Sequence, residues 1–146
     1  MNSSVADIAQ RPSRTAIIAL LEGANLPTVD LTDGHLEHFF FLGARTAPFG
    51  LVGLEIHGRD ALLRSLVVAS DFRAAGAGSA LVEHAEGYAR TRSVDAIYLL
   101  TTTAEPFFAH RGYGRIEHGE APASIRSTRE YSDICPTSSA LMVKHL

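Results

Sequence analysis

An apolar run, Leu62-Leu63-Arg64-Ser65-Leu66-Val67-Val68, is followed by Arg73-Ala74-Ala75-Gly76-Ala77-Gly78 and then by Ser79-Ala80-Leu81-Val82-Glu83-His84-Ala85. The first segment has the composition of a buried strand, the second of a tight loop, the third of an amphipathic helix. A second, wholly apolar stretch at 96–100 follows. A strand, a helix and a strand joined in this order cross over right-handedly and lie parallel in one sheet, which commits the chain to an α/β fold. The loop also carries chemistry. A helix start has unpaired N–H donors and partial positive charge, so it receives phosphate-like anions. Glycines at 76 and 78 allow close approach to the backbone, and Arg73 flanks the same point.

The flanking segments read as further layers of one domain spanning residues 1–146. Residues 5–10 alternate weakly and predict an edge strand that Pro12 ends. Pro12 then suits the first turn of a helix bearing Ala16, Ile17, Leu20 and Leu21 on one face, stopped by residues 23–27. Residues 30–34 predict a turn or short helix. Three strands at 36–45, 51–57 and 61–68, separated by Ala47-Pro48-Phe49-Gly50 and Gly58-Arg59, form an antiparallel meander. The helix at 78–92 shows Leu81, Val82, Ala85, Tyr88 and Ala89 along one face. A helix start at 106–110, a polar helical stretch at 124–131 and a last strand at 140–144 complete the chain, giving a mixed, mostly antiparallel sheet.

Composition excludes several function classes. With 46% hydrophobic and 20% charged residues the chain reads as globular, not disordered. Its 13 Lys+Arg against 16 Asp+Glu, a net charge of -3, give it no electrostatic reason to seek nucleic acid or an anionic membrane. Cys135 is the one cysteine, which rules out an intramolecular disulfide and a cysteine metal cluster. The opening residues lack a basic-then-apolar signal order and no apolar run approaches membrane-spanning length, so the cytoplasm is the expected compartment.

Two polar residues interrupt the meander. With a two-residue turn at Gly58-Arg59, Glu55 opposes position 62, so Glu55 and Arg64 are diagonal neighbours on one face, about 7–8 Å apart at the backbone. They form either a structural ion pair or a substrate grip, with Arg64 on an anionic group and Glu55 on an amine or, through water, its proton. His57 reads as a strand-end residue. His35, His38, His84, His110 and His118 lack a ligand spacing, and no metal site is expected. Thr101-Thr102-Thr103 offers hydroxyls just past the fifth strand, where threonines also cap helices.

The Arg73/Gly76/Gly78 string, taken with Ala104-Glu105-Pro106-Phe107-Phe108-Ala109-His110-Arg111-Gly112-Tyr113, resembles the GNAT superfamily of N-acetyltransferases. The resemblance covers roughly residues 39–146. It implies a sheet flanked by helices on both faces, with a splay between the fourth and fifth strands that holds acetyl-coenzyme A. It assigns the coenzyme to Leu66, Val67, Val68, Arg73, Ala74, Gly76, Ala77, Gly78 and Phe108, with the Val68 N–H as donor to the thioester oxygen. That role requires a bulge or gap beside Val68, because a regular strand consumes its N–H groups in pairing. Many relatives place a tyrosine, the acid for the leaving thiolate, where this chain has Phe108, so the resemblance transfers no side-chain acid.

A narrower resemblance lies in Gly53-Leu54-Glu55, residues 62–68, Leu99-Leu100-Thr101-Thr102-Thr103-Ala104, Ala121-Pro122-Ala123-Ser124-Ile125 and Cys135-Pro136. Together these are similar to arsenic-resistance N-acetyltransferases, a group whose members acetylate arsinothricin or phosphinothricin on the α-amino group. For such an acceptor Arg64 and Arg126 suit the anionic groups, since guanidinium groups bind oxyanions through paired donors. With the readings above, the expected substrate-binding residues are Arg64, Glu55, Thr102, Thr103 and Arg126 and the catalytic ones Val68 and Glu55. Cys135 reads as a small buried hydrophobe. The expected activity is direct attack of a small polar amine on acetyl-coenzyme A, without metal. A non-catalytic acyl-coenzyme A sensor and a protein acetyltransferase are the alternatives, and a homodimer is left open.

Overall fold

A computed structural model describes residues 8–71, 76–129, 131–132 and 138–146. Arg73, Ala74 and Cys135, and the start of the predicted edge strand at 5–7, lie outside the described residues. The elements are β1 (Ala9–Gln10), α1 (Arg14–Gly23), α2 (Asp33–Leu36), β2 (Phe39–Ala44), β3 (Ala47–His57), β4 (Asp60–Val68), α3 (Ala77–Thr91), β5 (Ala96–Thr101), α4 (Glu105–Ala109), β6 (Gly114–Ile116), α5 (Ala123–Arg126) and β7 (Ala140–His145). They build a seven-stranded sheet in the order β1-β2-β3-β4-β5-β7-β6. Only β4 and β5 pair in parallel; every other neighbouring pair is antiparallel. The expected α/β architecture is therefore present.

Burial on both sheet faces explains the Phe39-Phe40-Phe41 run. Period-2 alternation sends Phe40, with Leu42, Val52, Leu54 and Leu63, toward Leu81, Val82, Ala85 and Ala89 of α3. Phe39 and Phe41 go the other way, onto Ile17 and Leu21 of α1. Beside α1 on that face, Ile125 of α5 covers Leu62, Tyr98 and Leu141. Gly53 is required by this packing: a Cβ there would stand 2.3 Å from the Phe39 ring.

Several boundaries differ from expectation. A short helix takes residues 33–36, so β2 begins at Phe39 and not at 36. This is the short helix expected near 30–34, shifted a few residues on, and its cap is atypical, with His35 Nδ1 and not a Glu accepting the Thr32 N–H at 2.9 Å. The 47–50 segment predicted as a turn is the start of β3. The helix foreseen at 124–131 is broken: Ala123–Arg126 is α-helical, 127–128 turn, and helical conformation returns at 129 and 131–132. The three-residue β6, half-exposed and too short to show a period, was not anticipated.

Two irregularities open the sheet at one place. The β4–β5 ladder holds only at Asp60↔Ala96, Ala61↔Ile97 and Leu62↔Tyr98, after which the strands part. Across β4, the register with β3 shifts between Leu51↔Val67 and Gly53↔Arg64, so Ser65 and Leu66 face the single residue Val52. Ser65 takes the left-handed φ of 60° that such a bulge imposes. The anticipated bulge and splay are both there, two residues ahead of Val68.

Candidate functional site

The parting of β4 and β5 forms a forked cleft. Its larger arm, about 740 Å³, runs between Leu66, Val67 and Val68 on one side and Pro106, Phe107 and Arg111 on the other, with Gly76, Gly78 and Ser79 at its end. The smaller arm, about 330 Å³, lies over Arg64, Ser65, residues 99–103, Phe108 and Ser139. Leu26, Leu66, Thr103 and Ala104 border both arms. Sequence reasoning thus brought Leu66, Val67, Val68, Gly76, Gly78, Phe108, Thr102 and Thr103 to one place. Arg126, exposed on α5, lines neither arm.

The start of α3 supplies the cleft's donors. Gly76 is its N-cap, in the left-handed conformation at φ 76°, with open space where a Cβ would be. Ala77 turns inward, is fully buried in the core and lines neither arm. Gly78 faces the Phe107 ring of α4, which a Cβ there would meet at 3.4 Å, an ordinary van der Waals contact. On the β4 wall, the Ala69 N–H donates to Phe49 O of β3 at 2.8 Å. Val68, the residue before it, lines the larger arm.

Arg111 was missed by the sequence reading. It follows Phe107 by one helical turn, donates to the Phe107 carbonyl at 3.2 Å, lies 4.0 Å above that ring and also donates to Ser79 Oγ. A cation is therefore braced between α3 and α4 at the donor-rich end of the cleft. The i,i+4 spacing from an aromatic residue was the available signal.

Phe108 is buried edge-on against Phe107 and Tyr113, at centroid distances of 5.1 and 5.6 Å. Tyr113 is no substitute acid. Its hydroxyl donates to Glu86 Oε2 at 2.9 Å, and burial first, then the Glu86 charge, push its pKa far up. Among the described residues, neither arm is lined by a tyrosine or a carboxylate.

Arg64 and Glu55 do pair as the register required, with Arg64 Nη1 donating to Glu55 Oε2 at 2.9 Å. A third member joins them. Asp30, in the α1–α2 connection, takes Arg64 Nη2 at 2.9 Å on Oδ1 and Nη1 on Oδ2, while Arg64 Nε donates to Ser65 Oγ at 3.1 Å. The Arg64 side chain is 0% exposed. Its nitrogens bond within the protein, which favours the structural ion pair over the substrate grip of the two roles the sequence left open. Burial opposes ionisation of Asp30, but the hydrogen bonds and charge of Arg64 outweigh it and lower its pKa.

Glu55 likewise faces away from the cleft. It borders a separate hollow of about 220 Å³ with Thr32, His35 and His57. His35 Nε2 stands 3.6 Å from Glu55 Oε2, and His57 Nε2 stands 3.5 Å from Oε1. Ligand atoms of Asp30, His35 and Glu55 lie within 4.8 Å of one another, a grouping that resembles a cation site. The guanidinium of Arg64 already bridges the two carboxylates. His35 Nδ1 accepts the Thr32 N–H, so its proton sits on Nε2 and points at Glu55. Thr101 Oγ1 accepts the Ala104 N–H at 2.9 Å and serves the turn into α4, while Thr102 and Thr103 remain exposed.

The sequence model of the Acetyltransferase (GNAT) family matches residues 8–115. An uncharacterized N-acetyltransferase of Chlorobaculum tepidum is 32% identical over 92 residues, covering 62% of this chain and 59% of the relative. Among solved structures, N-acetylglutamate synthase from Neisseria gonorrhoeae, in complex with coenzyme A and N-acetyl-glutamate, superposes with a TM-score of 0.79 at 21% identity, over 96% of this chain but 35% of that one. Rv2747 from Mycobacterium tuberculosis, in complex with coenzyme A, gives 0.73 at 18% identity over 95% of this chain and 98% of its own. The chain thus spans just over half of its curated relative and about a third of the synthase.

Proposed function

The chain belongs to the acetyltransferase (GNAT) family, and from that premise we propose that it transfers the acetyl group of acetyl-coenzyme A to the amine of a small polar acceptor. The observation that carries the reading is the forked cleft itself, with N–H donors and Arg111 at one end and a hydroxyl-lined arm at the other. The α3 start and Arg111 suit the pyrophosphate, and the Val68 wall suits the pantetheine arm. Gly76 leaves the space a diphosphate needs.

The amine, uncharged and held in the smaller arm, attacks the thioester carbon directly. An N–C bond forms, the C–S bond breaks, the nitrogen loses one proton and the sulfur gains one. Developing charge on the carbonyl oxygen meets the Val68 N–H. Alignment of the two substrates in one cleft supplies much of the acceleration. Phe108 has no proton to give, and no described carboxylate lines the arms, so solvent carries both protons. Glu55, expected from sequence to receive the amine or its proton, instead holds Arg64.

For the acceptor we propose an amino-acid-like arsenical such as arsinothricin, supported by the motif similarity at 53–55, 62–68, 99–104 and 121–125. With Arg64 committed to Asp30 and Glu55, its anionic groups fall to hydroxyls and backbone donors of the smaller arm. Free-thiol release from acetyl-coenzyme A with a panel of arsinothricin, phosphinothricin, proteinogenic amino acids and simple amines tests this. Amine-dependent release supports transfer; tight coenzyme binding without it supports a sensor. Preference for a peptide N-terminus would move the acceptor to proteins.

A further inference from the structure

Ser139 stands apart among the polar residues of the smaller arm. It is 2% exposed, yet its Oγ has no hydrogen-bond partner among the described residues. Its backbone, in contrast, is held firmly. The Ser139 carbonyl accepts from His118 Nε2 at 2.6 Å. The His118 carbonyl in turn accepts from the Tyr131 hydroxyl at 2.6 Å, and the His118 and Tyr131 rings lie 5.8 Å apart. The next residue, Ala140, begins β7 in register with Thr101. The chain therefore presents this hydroxyl at the wall of the arm and leaves it unmatched. A buried hydroxyl without a partner is a standing cost, removed when a ligand supplies the missing group.

Strand order indicates which part of a ligand meets it. The acetyl group is delivered beside Val68 on β4, whereas Ser139 leads into β7, on the far side of β5. An amine reaching the β4 side places the substituent behind it toward Ser139. Hydrogen bonds to ionised groups are the strong ones, so a desolvated hydroxyl gains most from an anionic oxygen. On this basis, and resting on the acetyltransferase reading above, we infer that Ser139 is a specificity residue. Its Oγ–H donates to the carboxylate of an α-amino acid acceptor and discriminates it from the corresponding simple amine.

The test is steady-state kinetics of wild type and Ser139→Ala with two acceptors, L-phosphinothricin and its decarboxylated amine, 3-aminopropyl(methyl)phosphinate. Loss of a hydrogen bond to a charged group is expected to raise the KM for the amino acid about tenfold or more. The KM for the decarboxylated amine and for acetyl-coenzyme A should stay within twofold. Because the hydroxyl has no partner among the described residues, the melting temperature of Ser139→Ala should hold or rise. Equal effects on both acceptors, no effect on either, or a fall of several degrees in melting temperature would overturn the assignment. Failure of the parent reading looks different: the wild-type protein itself would release no thiol with either amine, and the specificity role would fall with it.

Discussion

The two halves of β4 treat polarity in opposite ways. In the first half, ahead of the bulge and in register with β3, a full charge is buried and answered atom for atom: Arg64 meets Asp30, Glu55 and Ser65. In the second half, beyond the bulge at Ser65–Leu66, the strand has already parted from β5, and Leu66, Val67 and Val68 wall an open cleft. A satisfied buried charge ties the α1–α2 connection to the sheet and contributes to rigidity. The wall formed by Leu66, Val67 and Val68 is instead open to a ligand. The contrast separates scaffold from site within one strand and argues against reading every conspicuous charged residue as functional.

The comparison breaks most visibly at Arg64. Arg64→Met leaves two carboxylates buried without their cation, a loss expected to cost about 3–5 kcal/mol. Chemical denaturation at pH 7 measures it; a stable variant with only a raised acceptor KM would return Arg64 to substrate binding. Acid should act on the same group of residues. Asp30 has a folded pKa below its ordinary value, so its contribution is complete above the unfolded pKa of about 3.9 and is lost as pH falls through the folded one. Asp30→Asn should remove that component of a melting-temperature profile between pH 7 and 3, and an unchanged acid limb would show that Asp30 is not its source.

At the open end the largest effect is expected from Gly76→Val. A β-branched side chain at φ 76° is strained, and it stands where the ligand approaches. Acetyl-coenzyme A affinity should fall at least about tenfold, or ~1.4 kcal/mol by calorimetry. Wild-type affinity in a folded variant would remove the loop from the binding site. Glu55→Gln sharpens the division between halves. It should lower stability by about 1 kcal/mol through a weakened bond to Arg64, with turnover near wild type at pH 6 to 8. A selective loss of turnover at the acid end of that range would reinstate Glu55 as a base. The smallest effect belongs to Phe108→Tyr, which adds a proton donor at the border of the smaller arm. Turnover should rise modestly, less than about tenfold, if protonation of the thiolate limits the rate; no change would mean that another step does.

Legibility from sequence followed how local each cause was. The register that pairs Glu55 with Leu62 could be read because a two-residue turn at Gly58-Arg59 leaves one alignment. Burial of both faces was readable in the Phe39-Phe40-Phe41 run, and the strand–helix–strand crossover in the apolar runs around the glycines. The pairing partner of Arg64 was half-read. Glu55 is nine residues away through a turn, whereas Asp30 lies 34 residues upstream in a connection without period. Arg111 was overlooked because its position at the cleft depends on where α4 meets α3. Ser139 carried no signal at all, being one serine among several.

Side-chain periodicity, glycine placement and turn length are consequences of a few adjacent residues, and from them the chain's own order of letters determined an α/β sheet, its β3–β4 register and a glycine-bearing helix start. Whether a given donor is satisfied depends on atoms brought from distant segments. Only the tertiary structure could decide that Arg64 is answered by Asp30 and Glu55, that Arg111 is braced at the cleft, and that the hydroxyl of Ser139 is buried without a partner among the described residues.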